Sequence, residues 1–184
     1  MSVTDRPAAA GVVELFRFPH PVNEVSARLV AAGVVVMSVV TIVADLPWLT
    51  AVIAYGFVAR VLTGPTLSPL GQLVTRVITP RLPVAPKLVA GPPKRFAQGI
   101  GAVITVTAAV LALGFGQHTA AYAVLGLVIG AATLESVFAL CLGCVAFGWL
   151  IRLGVIPESV CERCATFRTE LATVGAVPAR GPAG

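Results

Sequence analysis

Long apolar runs, interrupted at a few defined places, set the pattern of this chain. Residues 28–44 are apolar apart from Arg28, Ser38 and Thr41, and a second run covers 46–62 with Arg60 as its one charge. Asp45-Leu46-Pro47 predicts a tight turn between them. A third run covers 96–115. Gly116-Gln117-His118-Thr119 predicts the next turn, and a fourth run covers 120–153. Runs of 17 residues or more with almost no charge are read as membrane-crossing helices. The pattern therefore predicts two helical hairpins, with spans at about 28–44, 46–62, 96–115 and 120–153. Trp48 lies where an interfacial aromatic anchor belongs.

Between the hairpins, residues 63–95 differ. They hold seven prolines and the bases Arg76, Arg81, Lys87, Lys94 and Arg95. Ser68-Pro69 is a helix start, and Leu70, Leu73, Val74 and Val77 recur on one face. A short amphipathic helix lying on the membrane surface is expected over 69–78. A second amphipathic helix is expected over 157–174, with Val160, Cys164, Phe167 and Leu171 as its stripe. Gly126 and Gly130 have the spacing of a helix-packing pair.

Composition supports the membrane class: 57% of the 184 residues are hydrophobic and 11% charged, against roughly 25% charged in a soluble domain. The net charge is +5, but its placement matters more. The turns at 45–47 and 116–119 have no Lys or Arg, while 63–95 and the C-terminal tail hold most of them. The positive-inside rule then places both termini and the long loop in the cytosol. No basic patch is interleaved with aromatics, so a nucleic-acid partner is not expected.

The chemistry concentrates in four cysteines, the whole complement of the chain, arranged as Cys141-Leu-Gly-Cys144 and Cys161-Glu-Arg-Cys164 with sixteen residues between the pairs. Cys141 is about 33 Å down a helix that starts near Thr119, which is past a hydrocarbon core of about 30 Å. The four thiols therefore belong at the cytosolic face. The spacing fits a zinc or iron–sulfur site. It equally fits two dithiols that exchange electrons or sulfur, and four small residues that merely pack. Gly148 and Arg152 continue the face of Cys141 and Cys144: Gly148 leaves room for an approaching segment, and Arg152 would favour thiolate. His20 stands between two prolines and reads as a loop residue. Neither cysteine pair is followed by His, which disfavours covalent haem attachment. GxSxG, P-loop and HExxH motifs are absent, so a stand-alone enzyme is not expected.

Glu135 is the one carboxylate inside a predicted span. Counted from the outer turns, Arg60 and Arg28 lie at about its depth, roughly 21–26 Å. An intramembrane carboxylate needs a partner, so Glu135 is expected to pair with Arg60 or Arg28, as a structural clasp or as part of a proton step. On one continuous helix, Cys141 and Cys144 would point about 120–180° away from it.

The segments VNE, GPTLSPL, PKRFAQGIG, LESVFALCLGC and RLGVIPESVCERC, in that order, resemble a bacterial family of small membrane proteins, domain of unknown function 4395. The resemblance covers about residues 18–165. It implies a setting near thioredoxin-like and sulfurtransferase proteins, and so a thiol or sulfur connection.

The expected molecule is all-α: a four-span membrane bundle with a cytosolic tail over 1–27, a membrane domain over 28–153 that includes loop 63–95, and a cytosolic tail over 154–184. It sits in the inner membrane with both termini cytosolic. Cys141, Cys144, Cys161 and Cys164 form its site, either as thiols that serve redox or sulfur transfer or as ligands to zinc or an iron–sulfur cluster in a scaffold or small-solute transporter. Its partners are the bilayer, a thioredoxin-like or sulfurtransferase protein, and further copies of itself.

Overall fold

The computed structural model describes residues 21–155. Strand β1 (Val22–Asn23) leads into helix α1 (Glu24–Val43). Asn23 caps that helix by accepting the Val25 amide at 3.0 Å, the role for which Asn is suited. Helix α2 (Leu49–Thr63) follows the expected turn, which is sharpened by Asp45 at φ 49°. Gly64, at φ 64°, stops α2.

Helix α3 starts at Pro69, capped by Ser68, runs to Gln72 and continues as a π-helical turn over Leu73–Ile78. It is not a detached surface helix. Val74 is 1% exposed, and a methyl added at Gly33 of α1 would meet the Leu70 side chain at 2.8 Å. Strand β2 (Leu88–Val89) then pairs antiparallel with β1, Val22 opposite Val89. This two-residue ribbon is the departure from a purely helical chain. It ties the start of α1 to the end of the loop, reinforced by the Glu24 amide donating to the Lys87 carbonyl and by the Glu24–Lys87 ion pair, each at 2.7 Å.

Helix α4 (Gly91–Ala109, extended by a π turn over Val110–Gly114) begins earlier than expected. Pro92 and Pro93 start the helix rather than belonging to the loop, because proline fits the first helical turn. Lys94 and Arg95 thereby enter the helix. Helix α5 (His118–Phe138) comes back. The expected continuous run to 153 breaks here: Ala139 takes a left-handed conformation at φ 57°, and a new helix, α6 (Leu142–Arg152), starts after Cys141.

Helices α1, α2, α4 and α5 pack around one core built from Ala31, Val34, Ile53, Phe57, Leu125, Val128 and Ala132, with Ala102 and Ile104 against it. Gly101 lets α4 press onto the Phe57 ring, which occupies the place a Cβ would need. The outward faces are equally apolar, with Val36, Val103 and Leu127 exposed. A helix apolar all round belongs in a core or a bilayer. Three helices, Glu24–Val43, Gly91–Gly114 and His118–Phe138, are long and apolar enough to cross a membrane, while Leu49–Thr63 and Leu142–Arg152 are shorter. Inside them the hydroxyls of Thr41, Thr63 and Thr105 donate to carbonyls one turn back, at 2.7, 2.9 and 2.7 Å, so their polarity is met locally.

The two turns share one end of the core, where the Tyr122 hydroxyl donates to Asp45 at 2.6 Å. The chain forms two compact units by its contacts, divided after Phe147. In the second unit, residues 148–155 complete α6 and turn at Gly154, φ 74°. His20, the tail helix expected over 157–174, and Cys161 and Cys164 lie outside the described residues.

Candidate functional site

At the end opposite the turns, four of the segments quoted above come together. From PKRFAQGIG, Lys94 reaches Glu135 of LESVFALCLGC at 2.6 Å, with side chains 9% and 17% exposed. Arg95 donates to the Val61 carbonyl at 3.0 Å near the end of α2. Gln98 accepts from Arg60 Nε at 2.9 Å. From GPTLSPL, Ser68 accepts from Arg60 Nη1 at 3.2 Å. From VNE, Glu24 holds Lys87 and lines a cavity beside the cysteines.

Glu135 therefore takes Lys94 as its partner, where Arg60 or Arg28 was expected. Lys94 stands three residues into α4 and Glu135 three from the end of antiparallel α5, so the hairpin brings them level. Arg28 instead donates from Nε and Nη2 to the Ser136 carbonyl, at 3.0 and 2.9 Å, and from Nη2 to the Val137 carbonyl, at 3.1 Å. These are carbonyls at the C-terminus of α5, where a cation is favourable. Arg60 is 6% exposed and lies 4.4 Å over the Phe57 ring.

The break at Ala139 decides the geometry of the thiols. Because α6 starts at Leu142, Cys141 occupies its N-cap position, and its carbonyl accepts the Val145 amide at 3.1 Å. Cys144 sits three residues on, in the first turn, and both thiols are free. Cys141 is outside the apolar helices, and its thiol is pushed down to about 7. The largest cause is the hydrogen bond with the Cys144 thiol. Burial and Glu135 oppose it, while the Cys144 amide and Lys94 add to it. A thiol at a helix N-terminus beside a cation is the setting that favours thiolate.

Cys141 borders two cavities. One, of about 410 Å³, also meets Cys144, Lys94 and Glu24. The other, of about 400 Å³, meets Glu135, Gln98 and Phe57. The expectation that Glu135 and the cysteines face apart is thus corrected. It assumed one continuous helix, and the left-handed Ala139 re-aims the chain so that Glu135 and Cys141 share a cavity.

Lys94 and Gly143 were not anticipated from the sequence. The signal for Lys94 was Pro92-Pro93, which moves it from loop to helix. Gly143 is where α6 crosses α4: an added Cβ would run into the Cβ and Cα of Ala97. Among the described residues nothing lies within 4 Å of a Cβ at Gly148, the expected point of close approach. Arg152 lies exposed in the last turn of α6, and the cation that acts on Cys141 is Lys94. Replacing Gly143 by Val is expected to push α6 off α4, at a cost of about 1–3 kcal/mol. It should also return Cys141 to ordinary thiol reactivity, which thermal unfolding and alkylation rates check.

Among the described residues no cluster of three or more His, Cys, Asp or Glu could hold a metal ion. No curated protein and no solved structure matches the chain. The family model described as Domain of unknown function (DUF4395) matches residues 22–152. That span covers β1 through the last residue of α6, and with it the Lys94–Glu135 pair and the first cysteine pair, so the chain belongs to this family.

Proposed function

We propose that this is a multi-pass membrane protein whose Cys141–Cys144 dithiol exchanges electrons or sulfur with a soluble thiol partner at the loop-bearing end. The observation that carries the reading is Cys141 at the N-cap of α6, hydrogen-bonded to Cys144 and flanked by the buried Lys94–Glu135 pair. In the exchange, the Cys141 thiolate attacks one sulfur of a partner disulfide. The partner's S–S bond breaks, one partner thiolate leaves, and a mixed disulfide remains. Cys144 then gives up its proton to Glu135 and attacks the Cys141 sulfur, releasing the second partner thiolate. Two electrons pass from the protein to the partner and a Cys141–Cys144 disulfide forms. The reverse sequence reduces it. Residues three apart on a helix have Cβ atoms about 5–6 Å apart, so closing this disulfide needs only a small local movement.

The apolar helices and the charge distribution support a four-crossing arrangement in a bacterial inner membrane. Arg76, Arg81 and Lys87 lie in the loop that returns to the cysteine end, and the turns at 45–47 and 116–119 hold no base. In that arrangement the loop, both termini and the dithiol face the cytosol, within reach of a thioredoxin-like or sulfurtransferase partner. Cys161 and Cys164 are a second CxxC pair in the sequence.

The test is the pH dependence of alkylation. A thiol pushed down to about 7 is deprotonated above that pH and protonated below it. In a C161S/C164S background, the iodoacetamide rate at Cys141 should rise with a midpoint near pH 7. A midpoint at the ordinary thiol value of about 8.5 would count against Cys141 as the attacking group.

A further inference from the structure

A cavity of about 170 Å³ lies among α1, α2, α3 and α4 and shares Lys94 with the cavity beside the cysteines. Arg60, Lys94 and Gln98 line it, together with Asn23, Ala27 and Val30. Both cations are buried, at 6% and 7% exposure. Lys94 and Gln98 are one helical turn apart on α4, and Gln98 in turn holds Arg60, so the three form a row along one wall.

The charges there do not balance. The described residues contain three carboxylates, Glu24, Asp45 and Glu135. Glu24 holds Lys87, Glu135 holds Lys94, and Asp45 accepts from Tyr122 at the opposite end. Among the described residues, no carboxylate is within ion-pair distance of Arg60. Its Nε and Nη1 are used by neutral groups, Gln98 and Ser68, which leaves Nη2 for a ligand. A buried charge without a counter-charge costs several kcal/mol, and an anion entering the cavity would recover it.

We propose that this cavity is a binding site for a small organic monoanion, a carboxylate or sulfonate with an apolar body. One uncompensated positive charge calls for one negative charge. Arg60 Nη2 and the Lys94 ammonium supply donors for its oxygens, as charge-assisted hydrogen bonds require. Most of the remaining wall, with Val22, Ala27, Val30 and Pro65, is apolar and suits a short hydrocarbon body, while Asn23, Ser26 and Thr75 add a few polar groups. One water needs roughly 15 Å³, so the space holds a molecule of several heavy atoms.

The experiment is thermal unfolding of the full chain in neutral detergent, with sodium butyrate or butanesulfonate against sodium chloride at equal ionic strength. A saturable rise in Tm of roughly 2–5 °C at ten times the dissociation constant is expected. R60Q should lose it. A27L, which fills the cavity and leaves both cations in place, should lose it too and keeps the test usable if R60Q does not fold. R28Q, which lies outside the cavity, should retain it. An equal rise with chloride, or no rise with either acid, overturns the proposal. So does stabilisation by phosphatidylglycerol alone that A27L leaves intact, because the anion would then be a lipid headgroup bound elsewhere.

Discussion

Lys94→Met is expected to destabilise the protein by about 3–5 kcal/mol, because it leaves a buried carboxylate without its counter-charge. Glu135→Gln should be harmful for the converse reason, since Lys94 is itself 7% exposed. The double variant K94M/E135L should recover most of the loss. A buried ion pair replaced by apolar side chains of similar volume is often neutral or better, and the flanking core is already apolar. Stability alone would then make the pair a clasp between α4 and α5. Its chemical part shows in the kinetics of exchange. With Glu135 gone, Cys144 loses the proton acceptor proposed for it, and resolution of the mixed disulfide should slow at least tenfold, given that general-base assistance is typically worth 10²–10⁴. The first attack by Cys141 should persist. A refolded double variant that resolves mixed disulfides at the native rate would reduce the pair to a clasp.

The second large effect separates the two thiols. With an aromatic disulfide reagent in the C161S/C164S background, the native pair should release two equivalents of aromatic thiol and retain none. Cys144→Ser should release one equivalent and keep the other as a stable mixed disulfide at Cys141, because the resolving thiol is missing. Cys141→Ser should react at least tenfold more slowly, since the remaining thiol has neither the N-cap position nor its neighbour's hydrogen bond. Mass spectrometry of the intact protein reads all three. Equal reactivity of the two single variants would contradict the asymmetry between them.

The helical pattern was legible because membrane helices announce themselves by length and apolarity, and both turns fell where Asp45-Leu46-Pro47 and Gly116-Gln117 placed them. The break in the fourth run was not. No Gly or Pro marks Ala139, and a left-handed alanine is a conformation that tertiary packing imposes against local preference. The facing of Glu135 relative to Cys141 depended on an unbroken helix and failed with it. The partner of Glu135 was missed for a simpler reason. Lys94 was read as part of a basic loop, although it and Glu135 stand roughly twenty residues on either side of Gly116, which on an antiparallel hairpin places them at similar depth. The cysteine pair itself was plain in the sequence. Its N-cap setting became visible only once the helix was seen to begin again after Cys141.

The central claim is that Cys141 and Cys144 form a reversible dithiol. The most direct measurement is equilibration of the full-length C161S/C164S protein in glutathione buffers of graded potential, with thiols counted by alkylation and mass. The two cysteines should be lost and regained together as one two-electron couple, with a slope of about 30 mV per tenfold change in the oxidised-to-reduced ratio. Two thiols that stay free at every potential would contradict the account, as would a stoichiometric zinc ion in the native four-cysteine protein that keeps all four from oxidation.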